Sequence, residues 1–401
     1  MTQPSHRRRP WYALYPEFAE ELGRLRATFR TRCQELLGDA HHKIWDEFRR
    51  DLISRTVHES NWQEGLRLSE AHTRELTDFA FEADADRQFT SGPSLDLDGL
   101  ANSHRRDVLD MKRAGRTVEE LAAFNLARSH QAIEYIAYEL ASRQSASLAH
   151  VLVETTKVLD EAQPSMPTEG SSAPFHLPSE QRDRIAAILK SVRTSTAPLL
   201  APFRPHDLET EGQLLESWLK TAKPHDLLHP MKSAYLNFLH RTAMMGIMPK
   251  KELGRFRKTG VHVGNHDLVF PPPAAVSPMM EEFCTGFPTI LPNVVKYDPV
   301  LKAAETSHRF VRIHPYADGN GRVSRLLMNL VLWGHHPPVY LKADGKGRHR
   351  YAQALRRADR GDAKPLAALI AMSLLEIYER MLSALRALPG ESHSARPGPQ
   401  G

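Results

Sequence analysis

An all-α fold is the class this sequence predicts, and three observations predict it. Apolar residues recur at helical spacing along much of the chain, as in Phe18, Leu22, Leu25 and Phe29. Helix-start signals stand before two such runs: Thr117 with Glu119 and Glu120 behind it, and Asp298 followed by Pro299. Only Val261 to Pro273 reads as extended, in two short segments.

In chain order, residues 11 to 80 read as helices, with the Glu64 segment opening a further helix. Residues 84 to 103 read as loop. From Thr117 a long helix carries Leu121, Phe124, Leu126, Ala132, Ile133, Ile136 and Leu140. Prolines, glycine and serines over residues 162 to 179 break the pattern and read as a linker. Helical periodicity resumes over Glu180 to Val192 and again over Leu227 to Ala243. The two extended segments turn at Gly264-Asn265, a small hairpin. Asp298 then caps a helix with proline at its first position and Val300, Leu301, Ala304, Phe310 and Val311 at roughly helical spacing, and this helix delivers His314 at its end. Val323 to Trp333 reads as an apolar helix, and the tail after Leu388 as disordered.

The chemistry is concentrated between those last two helices, in His314-Pro315-Tyr316-Ala317-Asp318-Gly319-Asn320-Gly321-Arg322-Val323-Ser324-Arg325. His314, with an ordinary pKa near 6.5, suits a general base at neutral pH. Asp318 offers a hard oxygen, and Mg²⁺ in nucleotide sites is held by one or two carboxylates together with phosphate oxygens. Gly319 and Gly321 free the backbone to bring N–H groups close to an anion, Asn320 adds a donor, and the turn sits at the positive end of the following helix. Arg322 and Arg325 repel each other there and oppose the helix dipole, a conflict that a bound polyanion removes. An EF-hand is excluded, because Arg322 stands at the next ligand position and no glutamate closes the loop. A P-loop is excluded by the lack of any Gly-x-x-x-x-Gly-Lys-Ser/Thr run.

These twelve residues resemble the Fic signature His-Pro-Phe-x-Asp/Glu-Gly-Asn-Gly-Arg-x-x-Arg, with Tyr316 in place of phenylalanine. The Gly-Asn-Gly form is similar to the Fic branch, not the phosphorylating Doc branch. The resemblance implies an all-α, Fic-type helical bundle with a small β-hairpin flap, transferring AMP from ATP to a serine, threonine or tyrosine hydroxyl of a target protein and releasing pyrophosphate. By position, His314 would deprotonate the acceptor and Asp318 would hold Mg²⁺. Gly319, Asn320, Gly321 and Arg322 would bind the α- and β-phosphates, and Arg325 would clamp the γ-phosphate. Gly254 to Thr259 and the trailing prolines resemble the family's flap region, in which Val261, His262 and Val263 would pair with the target's backbone.

Ser60-Asn61-Trp62-Gln63-Glu64-Gly65 fits the family's inhibitory pattern Ser/Thr-x-x-x-Glu-Gly/Asn, and because it precedes the core the chain resembles the class with an N-terminal, intramolecular inhibitory helix. Glu64 would take the guanidinium of Arg325 that the γ-phosphate needs. In some relatives of this class the same glutamate positions water to remove AMP from a modified protein, so a de-AMPylating phosphodiesterase is the alternative. A non-catalytic nucleotide-binding module is another, disfavoured because a pure binder needs no base at His314. The organisation expected is an N-terminal helical region over 1–160 with the inhibitory helix around 60–65, a linker and helical insertion over 161–226, a catalytic core over 227–390 and a tail over 391–401.

Composition fits this reading: 401 residues, 41% hydrophobic and 25% charged, suit one large or two modest domains with amphipathic helices. No run approaches about 18 uninterrupted apolar residues and no apolar signal core follows Arg7 to Arg9, so a cytoplasmic protein without a membrane partner is expected. Cys33 and Cys284 are too far apart to suggest a metal knuckle and read as reduced and structural. A net charge of +5 raises nucleic acid as a partner, but no helix-turn-helix, zinc finger or aromatic-basic interleaving accompanies it. Lys346, Arg348, Arg350, Arg356, Arg357 and Arg360 read instead as solvated surface, with proximity to the nucleotide pocket left open. The histidine pairs His41-His42 and His335-His336 do not share a helix face, so no zinc site is expected. A homodimer is compatible with the sequence, which does not specify the oligomeric state.

Overall fold

Helices form the frame of the computed structural model, which describes residues 10–35, 39–85, 97–162, 180, 183, 231–261, 269–288 and 298–386. A 3-10 turn (Trp11–Leu14) leads into α1 (Tyr15–Glu35), followed by α2 (Asp39–Gln63), α3 (Glu70–Ala85), α4 (Leu97–Arg113) and α5 (Val118–Ala162). Then come α6 (Ser233–Met244), α7 (Pro273–Thr285), α8 (Pro299–Ile313), α9 (Asn320–Leu332), α10 (Gly345–Ala358) and α11 (Lys364–Arg386). No strand occurs among the described residues; the hairpin expected around Gly264-Asn265, including His262 and Val263, lies outside them, as do the linker, most of Glu180 to Val192 and the C-terminal tail.

Local chemistry explains the ends that matter. α5 begins at a reciprocal capping box: the Thr117 N–H donates to Glu120 Oε2 at 2.7 Å and the Glu120 N–H to Thr117 Oγ1 at 3.2 Å. Asp298 Oδ1 caps α8 by accepting from the N–H groups of Val300 (2.9 Å) and Leu301 (3.1 Å). The other Asp298 oxygen accepts from the Tyr15 hydroxyl, which ties the start of α1 to the start of α8.

Two expectations need correction. Residues 97–103 are helix, not loop: they open α4 and bury Leu100, Ala101 and Ser103. Their polar neighbours hid an apolar stripe that continues to Val108 and Met111. The Glu64 segment ends a helix and opens none, since α2 stops at Gln63 and the chain turns through Gly65 at φ 85°. A left-handed glycine just past a helix is a stop signal, and here it outranks the helical reading.

The centre of the bundle is α9, packed most extensively against α8 and also against α5, α6 and the end of α2. Leu326, Leu327, Met328, Leu330, Val331 and Leu332 are all buried, so each side chain contributes about 1.5–3 kcal/mol by leaving water. One hydrophobic cluster runs from Tyr15 through α5 to Leu382 in α11. The loop between α8 and α9 is therefore held on rigid elements at both ends.

Candidate functional site

His314 sits where α8 stops, with φ 51° and ψ 59°. It is the single non-glycine residue with positive φ among the described residues. Such a conformation costs about 1–3 kcal/mol and persists only when its surroundings over-determine it. Its N–H donates to the Phe310 carbonyl (3.1 Å), and its own carbonyl accepts from Arg257 Nε (2.7 Å). The next carbonyl, of Pro315, accepts from the Arg257 backbone N–H (2.8 Å). Ring atom Nδ1 lies 3.2 Å from the Val311 carbonyl and donates to it, so Nε2 keeps its lone pair. Burial draws the ring's pKa below 6.5; the Val311 bond opposes this, and the nearby Arg257 charge reinforces it. A neutral imidazole with an open Nε2 can accept a proton.

The turn after it is braced from inside. Asn320 accepts from the Tyr316 N–H (3.0 Å) and donates to the Tyr316 carbonyl (2.8 Å), which closes the loop on itself. Tyr316 is fully buried, and its hydroxyl donates to Asn237 Oδ1 at 2.9 Å. That partner is why a tyrosine is accommodated there, because a buried hydroxyl must find an acceptor. His240 stacks on the Tyr316 ring at 3.8 Å. Its Nδ1 accepts from the Gly254 N–H (2.9 Å), which makes Nε2 the donor to the Asp318 carbonyl (3.0 Å). Burial holds the His240 pKa at about 4, so this tautomer is fixed at neutral pH. Gly319 has φ 80°, and a Cβ there would lie 2.7 Å from Met244 Sδ. Only glycine fits.

Asp318 points outward with 64% of its side chain exposed; Oδ1 accepts from the Gly319 N–H (2.6 Å), and Oδ2 lies 3.9 Å from Arg322 Nη2. Arg322 is only 5% exposed, yet its Nε and Nη1 have no hydrogen-bond partner. Arg325 is 8% exposed and engaged through two of its nitrogens: Nε donates to Ser60 Oγ (2.9 Å), and Nη2 donates to the Ser60 carbonyl (3.1 Å) and to Glu64 Oε1 (2.6 Å). Burial pushes the Glu64 pKa up, but Arg325, then Arg322, and also Arg348 outweigh it and hold the carboxyl below the ordinary 4.5. A Cβ on Gly321 would meet Glu64 Oε1 at 2.7 Å, so this carboxylate covers the first turn of α9, the place a helix offers to an anion.

A sequence model of the Fic/DOC family matches residues 230–332, which span α6 to α9. Residues 230–332 are thus similar to the Fic/DOC family. The chain is 38% identical over 134 residues, or 33% of this chain, to a protein adenylyltransferase Fic of Culex quinquefasciatus. It is 36% identical over 152 residues, or 38% of this chain, to one of Drosophila grimshawi. The chain spans 25% and 30% of the length of these two curated relatives. Among solved structures, a Fic domain containing signaling protein from Bacteroides thetaiotaomicron shares the fold at a TM-score of 0.50 and 14% identity, covering 92% of this chain and 99% of that one.

Within the matched region, His314, Asp318, Gly319, Asn320, Gly321, Arg322 and Arg325 lie on one loop and the first two turns of α9, and Glu64 joins them from outside it. Asn320 spends its oxygen and one amide hydrogen on Tyr316, which leaves one N–H for any ligand. Val261 is described, whereas its flap companions His262 and Val263 are not. Three residues of the site escape the sequence reading: Arg257, His240 and Asn237. For Arg348 the sequence favours solvated surface and leaves proximity to the nucleotide pocket open; the second alternative holds, since its Nε and Nη2 are buried without a hydrogen-bond partner and its charge acts on Glu64. It is drawn in because the Ala343 N–H donates to Glu59 Oε2 (2.6 Å) and Gln63 Nε2 donates to the Lys342 carbonyl (3.1 Å), docking the chain before α10 on the end of α2. Cys33 and Cys284 are free thiols, the latter buried. No helix among the described residues is long and apolar enough to cross a membrane.

Proposed function

We propose that this protein transfers AMP from ATP to a hydroxyl side chain of a target protein, and that Glu64 restrains it. The observation that carries this reading is the convergence of three features at one loop. These are a neutral histidine with an open Nε2, a buried arginine whose Nε and Nη1 lack hydrogen-bond partners, and a second arginine whose anion seat is filled by a carboxylate. The adenylyltransferase names of the relatives point the same way.

In this mechanism the triphosphate lies over the first turn of α9, with Arg322 and the loop N–H groups on the α- and β-phosphates and Arg325 on the γ-phosphate. Arg325 can reach that phosphate only by releasing Glu64. The acceptor oxygen gives its proton to His314 Nε2 and forms a bond to the α-phosphorus. The bond from that phosphorus to the bridging oxygen breaks, and pyrophosphate departs with the electron pair. Asp318, an exposed carboxylate with one oxygen committed to Gly319, fits a Mg²⁺ shared with phosphate oxygens. When bound, that ion would neutralise charge on the leaving group. The flap around Val261, His262 and Val263 would hold the target's backbone, with residues 227–390 as the catalytic unit and a cytoplasmic setting.

The test is incubation of wild-type, Glu64→Gly and Glu64→Gly/His314→Ala proteins with α-labelled ATP, Mg²⁺ and cell lysate. Strong protein labelling only by Glu64→Gly is expected. Equal labelling by the double variant would remove His314 as the base. No labelling by any of the three, together with release of AMP from pre-adenylylated lysate proteins, would replace addition of AMP by its removal.

A further inference from the structure

Arg257 carries four hydrogen bonds, all of them to or from backbone. Its N–H donates to the Pro315 carbonyl (2.8 Å) and its Nε to the His314 carbonyl (2.7 Å). Its Nη1 donates to the Thr259 carbonyl (3.0 Å) and its Nη2 to the Pro271 carbonyl (2.6 Å). Thr259 and Pro271 stand just before and just after the segment expected to form the flap, while His314 and Pro315 open the signature loop. The residue is 5% exposed, and none of its hydrogen bonds reaches a carboxylate among the described residues. A buried cation spent wholly on carbonyls is costly to install. Packing alone would be served better by an apolar side chain. The planar fork of arginine is what the arrangement requires, because one group must span three carbonyls in fixed directions.

The geometry assigns Arg257 as a positioning residue that couples the two stalks of the flap to the left-handed backbone of His314, so that the ring is aimed only when both stalks are in place. This deepens the adenylyl-transfer reading and rests on it for its catalytic meaning. The coupling is direct: Phe270, next to Pro271, places its ring 4.4 Å from the His314 ring. A shift of the second stalk therefore reaches the base by two routes, through the guanidinium and through the aromatic contact. Besides Arg257, the charged groups acting on His314 are Asp318 on its own loop and Glu64 at the end of α2.

The test compares Arg257→Gln and Arg257→Lys in the Glu64→Gly background. The glutamine loses both fork and charge, and the lysine keeps the charge without the fork. Amide hydrogen exchange should quicken at least tenfold at Thr259, Gly260, Val261, Val269, Phe270, His314 and Tyr316 together in both variants, and less elsewhere. The His314 pKa, followed by ring ¹⁵N resonances assigned with His314→Ala, should rise with glutamine and stay near the parent value with lysine. Affinity for MgATP should stay within twofold of the parent, while labelling of lysate proteins should fall at least tenfold. Unchanged exchange at His314 and Tyr316 in the lysine variant, should the glutamine fail to fold, would overturn the coupling. A parent that transfers no AMP would sink the adenylyl-transfer reading, while exchange and resonance would still decide the coupling.

Discussion

Replacing Glu64 by glycine should raise the affinity for ATP about ten- to hundredfold, and the size follows from one contact. Glu64 Oε1 accepts from Arg325 Nη2 at 2.6 Å, between side chains 24% and 8% exposed. A hydrogen bond to a charged partner is worth about 1.5–3 kcal/mol net. The γ-phosphate must displace this contact, so ATP binding is weakened by that amount, at about 1.4 kcal/mol per tenfold. Glu64→Gln keeps an acceptor without the charge and should give roughly half that free energy. Calorimetry in a His314→Ala background, which blocks turnover, measures both nucleotides. ADP, lacking the γ-phosphate, should gain less than about threefold. Equal gains for ATP and ADP would show a general charge effect without competition for Arg325, and no gain would refute the latch. The contact should be insensitive to pH in the working range. Its carboxyl pKa is depressed, so its contribution is complete above the unfolded value and is lost only as pH falls through the lower folded one. The affinity ratio of wild type to Glu64→Gly should therefore stay flat from about pH 8 to pH 5.

Three other outcomes are expected. The acid limb of the pH–rate profile of Glu64→Gly should have its midpoint below 6.5, because burial favours neutral His314; a midpoint above 6.5 would contradict that environment. Arg322→Met, which removes a buried guanidinium whose Nε and Nη1 have no hydrogen-bond partner, should abolish most of the stabilisation by added ATP; calorimetric scans with and without nucleotide check it. Tyr316→Phe should cost about 0.5–1.5 kcal/mol in urea denaturation by orphaning Asn237, with transfer activity retained, and a loss of activity would mean that the hydroxyl reaches the reacting groups.

The signature loop was legible because its chemistry is local. A base, a carboxylate, two glycines and two arginines within one turn and the start of one helix keep their meaning wherever the helix lies. The caps at Thr117 and Asp298 were legible for the same reason, each being a contact between residues three or fewer apart. Arg257, His240 and Asn237 were not, because their partners are carbonyls, N–H groups or a hydroxyl far along the chain, and such groups leave no spacing pattern. Glu64 was placed by its motif, while its position at the end of α2 was misread. The carboxylate faces the negative end of its own helix, an arrangement that propensity disfavours and that the arginines across the gap offset. Residues 97–103 were misread because their apolar stripe becomes evident only with α5 and α6 in place.

The hydroxyl of Tyr15 on Asp298 bears on how this chain can be dissected. One carboxylate serves two masters: one oxygen seals the first turn of α8, and the other is held by the first residue of α1. A fragment beginning near the start of the matched region would keep every residue of the signature and lose that tether, along with the α1 surface against α11. The helix that aims His314 would then start with a free-swinging cap. Activity lost on trimming the N-terminus would thus mix two causes, release of restraint and slackening of the scaffold, and only substitutions within the full chain separate them.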